Sequence, residues 1–411
     1  MRAIQYMKSV PRYLLMRYLG RRWPWLYTSP FSCIALREIP EPSLPGQDWV
    51  RVRTRLCGIC GSDLATIRAE GSPYFSPFTS FPFVLGHEIV GEVAEAGAEV
   101  THVRPGDRVT IEPALSCAVR GLADLCRQCR LGNYGNCEQV THGAISAGIQ
   151  IGYCRDTGGG FSPTFVAHRL QIHRIPAEIP DEAAVLIEPF SCALHAVLQV
   201  EVTDESRILI LGCGTMGLLT IAALRAVGCH AEILAAARYP HQAAFARELG
   251  ANAVLSTGDR LYPEVAEATG AEVFTPELGK PVLVGGVDVT FDCIGSQSTI
   301  DDALRLTRAR GRVVVVGMPA IPRGVDWTSI WYKELEVRGA YTYGTENFEG
   351  RRLRTFELAI RLLAERAESL RPLVSARYPL REYGRAIGHA MRAGRTGAVK
   401  TVFEFSAGAP R

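Results

Sequence analysis

Two short segments carry residue types that can do chemistry at the spacing a metal site needs: Cys57-Gly-Ile-Cys-Gly-Ser-Asp-Leu64 and Gly86-His-Glu-Ile-Val-Gly-Glu-Val93. A reactive zinc site takes three protein donors from N, S or O and keeps one position open for water or substrate. Cys60 and His87 can supply two donors, and an acid from elsewhere in the chain a third. Four of the twelve cysteines, Cys117, Cys126, Cys129 and Cys137, share one short segment. No signal peptide is recognised, so a reducing, cytoplasmic setting is expected. There, clustered thiols serve more often as zinc ligands or inert groups than as disulfides.

A third motif belongs to a nucleotide. Ile208-Leu-Ile-Leu-Gly-Cys-Gly-Thr-Met-Gly217 reads as a buried strand entering a turn, with the helical pattern Leu218 to Val227 behind it. In such a loop the first glycine (Gly212) makes the tight turn and the second (Gly214) lets a pyrophosphate approach the backbone. The third (Gly217) lets helix and strand pack closely. Thr215 and Met216 then lie in the first helical turn, where free N–H groups favour a phosphate. Cofactor choice rests on the end of the next strand, where an acid would hold the ribose 2′-OH of NAD and an Arg would accommodate the 2′-phosphate of NADP. That end has Ala237 and Arg238 and no acid, and Glu232 lies too early, so NADP is expected over NAD.

The elements that must position these residues fall into two styles. The first half shows short apolar or alternating runs at Trp49 to Arg55, Glu88 to Ala94 and Asp107 to Ile111, bounded by Gly, Pro and Asp. From about Asp181, apolar runs alternate with helical ones: Arg207 to Leu211, Ala231 to Leu234, Val287 to Phe291, Arg312 to Val316 and Leu335 to Val337. That alternation predicts right-handed βαβ units and a parallel sheet. A helix is expected over Arg351 to Glu368 and a last strand over Lys400 to Phe405.

A chain of 411 residues, 47% hydrophobic and 21% charged, is expected to form two globular domains. No apolar run is long enough to span a bilayer, and a net charge of +3 gives no reason to expect nucleic acid. One region departs from this balance. Met1 to Arg37 holds seven Lys or Arg, no acid, and Tyr13, Tyr18, Trp23, Trp25 and Tyr27. It reads either as a membrane-surface contact or substrate lid, or as a solvated irregular insertion, with Ala3 to Tyr6 as a first strand.

Taken together, GICGSDL, VLGHEIVGEV, GDRV at Gly106 to Val109, EPFSCALHA at Glu188 to Ala196, the glycine loop and KELEVRGAYTYG at Lys333 to Gly344 resemble the zinc-containing medium-chain dehydrogenases. The branch they resemble is that of threonine, polyol and sugar dehydrogenases. The resemblance implies an α/β chain with a GroES-like, mostly-β catalytic domain over 1–183 and 344–411 and a Rossmann NAD(P)-binding domain with a doubly wound parallel sheet over 184–343. It implies a homodimer or homotetramer that oxidises a small alcohol, secondary or polyol, to a carbonyl. Cys60, His87 and Glu188 are the implied catalytic zinc ligands, and Glu88 the acid that binds or backs the metal. Asp63 is the carboxylate that orients His87, and Ser62 the hydroxyl that bonds the substrate oxygen and passes on its proton.

Two departures stand out. Relatives carry a relay histidine just after the Cys-Gly-Ser-Asp stretch, where this chain has Leu64-Ala65-Thr66; Thr66, the cofactor ribose or a water is left to take its place. In the structural zinc lobe, Cys126, Cys129 and Cys137 match three ligands while the usual first position is Ala123; Cys117 can fold back to complete the set. A zinc-free quinone or enoyl reductase would have lost Cys60, His87 and Glu188. A non-catalytic NADP-binding descendant is favoured only by the missing histidine and the basic N-terminal insertion. Tyr74, Phe75, Phe78, Phe83, Trp331 and Tyr332 can wall a pocket or belong to the core, and Phe274 to Gly286 reads as an insertion.

Overall fold

The computed structural model describes residues 1–405 and divides into two compact units. One comprises Met1–Glu188 with the chain from Tyr343 onward, the other Pro189–Thr342.

The first unit is built on a seven-stranded sheet. Its order is Val374–Pro379, Lys400–Glu404, Trp49–Gly58, Glu88–Ala96, Arg108–Ile111 and Ile172–Arg174, with Thr164–His168 also paired to Trp49–Gly58. The strand Trp49–Gly58 shows why it forms. Val50, Val52, Thr54 and Leu56 are buried on one face, while Arg51, Arg53 and Arg55 point the other way. That two-residue period fits a sheet with one covered face. Its antiparallel pairing sets Gly58 opposite Glu88 and Cys57 opposite Ile89, while Phe403 of the last strand lies opposite Cys57. Three segments far apart in sequence therefore meet at one end of the sheet. A second sheet joins Ile34–Glu38, Arg2–Tyr6 and Phe83–Val84.

The second unit holds six parallel strands in the order Ala253–Leu255, Glu232–Ala236, Arg207–Leu211, Val287–Asp292, Thr307–Val315 and Glu336–Gly339. This is the doubly wound Rossmann order, whose direction of build reverses beside Arg207–Leu211. The short strand Ala253–Leu255 gave no pattern long enough to be read in the sequence.

Two expectations are corrected. Arg351 to Glu368 is not helical from its start: Arg351–Arg354 pairs antiparallel with Thr345–Phe348, and the helix begins at Thr355 and ends at Ala364. Glu349 and Gly350 both have positive φ, the backbone of a two-residue hairpin turn that ends helical reading there. The N-terminal excursion is not irregular either, since it contains a ten-residue helix, Val10–Leu19, and a 3-10 turn, Pro24–Thr28. The Phe274 to Gly286 insertion is the loop and return strand of a small antiparallel hairpin, Glu272–Phe274 with Val282–Val284. Among the described residues no helix is long and apolar enough to cross a membrane.

Candidate metal centre, thiolate lobe and dinucleotide loop

Cys60 sits at the N-cap of a short helix, Gly61–Ile67. Its backbone N–H donates to Asp63 Oδ2 at 2.9 Å, the reciprocal bond that fixes a helix start. The cap fixes Asp63 as well, and its other oxygen, Oδ1, lies 3.6 Å from His87 Nδ1. Both atoms are buried and neither has a hydrogen-bond partner among the described residues. The ring is thereby oriented with Nδ1 toward Asp63 and Nε2 toward Ser62, whose Oγ is 3.4 Å away.

Asp63, Glu88 and Glu188 are all buried around this histidine. Burial would favour the neutral ring, but Asp63, the Cys60 sulfur and Glu188 outweigh it and push the His87 pKa well above its ordinary value. Burial also raises the Asp63 carboxyl, against the opposing pull of His87 and the Cys60 N–H. A pocket that gathers thiol and carboxylate donors and draws a proton onto its imidazole has the donor chemistry of a divalent-cation site, and the orienting carboxylate behind the histidine is the usual support of a metal ligand. Cys60, His87 and Glu188 fit a catalytic zinc on those grounds.

Glu88 has a different place from a free donor. Both its oxygens lie 2.6 Å from Lys400 Nζ, and the pair is almost fully buried. Burial alone would lower the Lys400 pKa, but Glu88, with smaller help from Cys60 and Glu188, raises it. Lys400 was missed in the sequence because it opens a short strand, Lys400–Glu404, and a lone lysine there carries no motif. Tyr153 was missed too. Its hydroxyl is 3.0 Å from Thr66 Oγ1, its ring lies 6.2 Å from the His87 ring, and burial holds its pKa up, with Ser62 close enough to act on the same hydroxyl. Of the aromatics considered as pocket walls, Phe83 is buried and stacked on Tyr6, while Tyr74, Phe75, Trp331 and Tyr332 are exposed.

The lobe is the most compact donor group among the described residues: the sulfurs of Cys117, Cys126, Cys129 and Cys137 all lie within 4.8 Å of one another. A tetrahedral zinc with Zn–S near 2.3 Å needs S···S separations of about 3.8 Å, and Cys117 and Cys137 stand at 3.5 Å. Backbone N–H groups of Cys126, Cys129, Glu138 and Gln139 point at these sulfurs. Thiol donation from Cys129, ahead of the opposing effect of burial, pushes the Cys137 pKa down to about 5. Cys117 thus folds back to the place that Ala123 leaves without a ligand. Arg120 holds that fold-back. It is fully buried, and its guanidinium donates to the carbonyls of Leu115, His142, Ile145, Ser146 and Gly148.

In the second unit the glycine loop has the shape of a phosphate cradle. The helix Thr215–Ala226 starts at Gly214, beside which a Cβ would meet nothing within 4 Å. At Gly217 a Cβ would strike the Gly212 carbonyl, which is why that position needs glycine. Gly212 itself has φ +91°. The first turn of the helix, Thr215, Met216 and Gly217, thus starts beside open space at Gly214, which fits the close approach of a pyrophosphate to the backbone. Arg238 is exposed just past the strand Glu232–Ala236, and Glu232 is tied to Arg207 at 3.2 Å at the opposite end.

These features define the class, and comparison with known proteins agrees. Residues 46–177 match the alcohol dehydrogenase GroES-like domain, and residues 215–362 the zinc-binding dehydrogenase domain. L-idonate 5-dehydrogenase of Vitis vinifera is 30% identical over 339 residues, covering 82% of each chain. Sorbitol dehydrogenase of Arabidopsis thaliana is 30% identical over 82% of this chain and 83% of its own. A zinc-binding dehydrogenase from Sinorhizobium meliloti 1021 solved with NADP superposes with a TM-score of 0.70 at 26% identity, covering 98% of this chain and 99% of that one. For 2R,3R-butanediol dehydrogenase from Bacillus subtilis the TM-score is 0.71 at 25% identity, with the same coverage. The chain belongs to the zinc-binding, medium-chain alcohol dehydrogenase family.

Proposed function

We propose that this chain is a zinc-dependent dehydrogenase that oxidises a secondary alcohol or polyol to a carbonyl with NADP in preference to NAD. The observation that carries the reading is the fixed imidazole of His87, with Asp63 Oδ1 3.6 Å from Nδ1 and Ser62 Oγ 3.4 Å from Nε2, on which the charges of Cys60 and Glu188 also act. Zinc held there supplies a Lewis acid that lowers the pKa of an alcohol, and a nicotinamide dinucleotide on the glycine loop supplies the hydride acceptor.

The rest is the work of this chain's side chains. Asp63 keeps the His87 ring in one orientation, leaving Nε2 for the metal. Ser62 Oγ takes the alcohol proton as it gives its own to the Tyr153 hydroxyl, Tyr153 gives its own to Thr66 Oγ1, and Thr66, at the half-buried end of the helix Gly61–Ile67, releases its own to solvent water. This hydroxyl chain stands in for the relay histidine that the sequence lacks. Glu88, neutralised by Lys400, supports the site from beneath rather than binding the ion. Cys117, Cys126, Cys129 and Cys137 hold a second, closed zinc with no position for substrate. Arg238, with no acid at the strand end, favours the 2′-phosphate of NADP, in keeping with the NADP found in the similar dehydrogenase structure.

The test is zinc content together with turnover of a panel of secondary alcohols and polyols. Two zincs per chain, chelator-sensitive oxidation and loss of one zinc in Cys60→Ala support the assignment. A zinc content that Cys60→Ala leaves unchanged removes it. Comparable kcat/KM with NAD and NADP, or an unchanged preference in Arg238→Asp, removes the NADP preference alone.

A further inference from the structure

The dehydrogenase chemistry uses nothing from the N-terminal excursion, residues 7–33, which leaves the strand Arg2–Tyr6 and returns as its partner Ile34–Glu38. Its inner side is firmly seated. Met16, Leu26 and Tyr27 are buried, Gly20 packs directly against the Tyr27 ring, and Arg17 donates to the Ala69 carbonyl at 2.8 Å. The outer side has the opposite character. Val10, Leu14 and Tyr18 follow one another at four-residue spacing, so they form a stripe along one face of the helix Val10–Leu19. All three are exposed, Tyr18 to 74%. Beyond the helix, Trp23, Trp25 and Phe31 are exposed at 47%, 62% and 58%. A globular protein rarely leaves so many large apolar side chains together in water without a use for them.

The charges identify what they meet. Lys8, Arg17, Arg21 and Arg22 are exposed within the same stretch, and no acid occurs from Met1 to Arg37. Among the described residues Lys8, Arg12, Arg17, Arg21 and Arg22 form no ion pair. Glu70, whose charge reaches Tyr27 of this excursion, is paired with Arg68 at 2.8 Å. A second copy of the chain is a poor occupant. A two-fold interface sets the same patch against itself, which here would press cations against cations with no carboxylate between them. An anionic bilayer answers both features at once. Lys and Arg meet lipid phosphates, while Trp, Tyr and Leu enter the headgroup boundary beneath them. We propose that the N-terminal excursion is a docking surface for an anionic lipid bilayer, on which the helix Val10–Leu19 lies flat.

Flotation of the full chain with vesicles tests this directly. Binding is expected to vesicles of phosphatidylcholine with phosphatidylglycerol, to be weak on phosphatidylcholine alone, and to fall with rising salt as surface attraction is screened. Arg21→Glu with Arg22→Glu should weaken it by about tenfold or more, since each basic residue near an anionic surface contributes measurably. Trp23→Ala with Trp25→Ala should weaken it too and diminish the blue shift of tryptophan emission on vesicle addition. Both double variants alter exposed side chains outside the metal and cofactor sites, so alcohol oxidation in solution should be unchanged. Equal binding to both kinds of vesicle, no binding, or undiminished binding by both double variants overturns the proposal. So does an oligomer that these variants dissolve without any vesicle binding by the parent chain, because the patch would then face another protein.

Discussion

Lys400→Met is the sharpest test of how the metal site is supported. The ammonium lies 2.6 Å from both oxygens of Glu88, and the two side chains are 4% and 1% exposed. Removing it leaves a carboxylate with almost no access to water, near the Asp63 carboxylate and the Cys57 thiol, whose pKa burial, Asp63 and Glu88 already raise. Breaking a buried ion pair on one side costs about 3–5 kcal/mol, because the remaining charge is desolvated without compensation. Against a total stability of about 5–15 kcal/mol that is a large fraction. The neutral double replacement, Lys400→Met with Glu88→Gln, removes the orphaned charge and should recover at least about 2 kcal/mol of the loss. Urea unfolding of the zinc-loaded chain, followed by circular dichroism, measures all three differences. A loss below about 1 kcal/mol in the single variant, or a double variant no more stable than the single one, would show that Lys400 does not offset the Glu88 charge.

Three further outcomes are expected. Tyr153→Phe should lower kcat by about 10- to 100-fold near neutral pH with little change in KM, and small buffer amines should restore part of it, because proton transfer rather than binding is impaired; an unchanged kcat excludes the hydroxyl chain. Arg120→Met should cost the lobe its zinc much as Cys117→Ala does, read from the sulfur-to-metal absorption bands of the cobalt-substituted protein, and a full set of those bands in Arg120→Met would count against the role given to Arg120. Lys333, 6% exposed and bonded to the carbonyls of Arg305 and Thr307, has its pKa pushed down to about 8 by burial and by Arg305. Between about pH 8 and 10.5 the unfolded chain therefore binds the additional proton, so stability rises with pH across that window by up to about 3 kcal/mol. Below it the cost of burying the charge is present in full. The rise should be missing in Lys333→Met, and a parallel pH profile in the two proteins contradicts it.

What could be read from the sequence was whatever is local. The glycine turn spans six residues, Gly212 to Gly217, so its geometry follows from spacing and residue type alone. The six-stranded sheet was legible through its apolar runs, except for Ala253–Leu255, which is too short to show a period. The reading failed where a contact closes a long loop. Lys400 reaches Glu88 across 312 positions, and Tyr153 reaches Thr66 across 87. The N-terminal helix went unread for a different reason: its regular apolar stripe faces outward, so the burial that normally justifies a helical reading is missing.

Cys117 lies between these cases and shows what joins them. Its chemistry was visible in the sequence, but its position depends on a guanidinium that carries no motif and bonds only to carbonyls. Among the described residues no carboxylate is hydrogen-bonded to Arg120; burial lowers its pKa, against the opposing pull of the Cys154, Cys137 and Cys117 sulfurs and Asp156. The catalytic site is organised in the same way: Lys400 offsets Glu88, while the charges around His87 draw a proton onto it. In both places the fold has gathered thiol and carboxyl donors whose ionisation burial opposes. Under the proposed assignment a divalent ion would displace protons from thiol and imidazole, so zinc uptake at either site should release protons and tighten as pH rises toward neutrality.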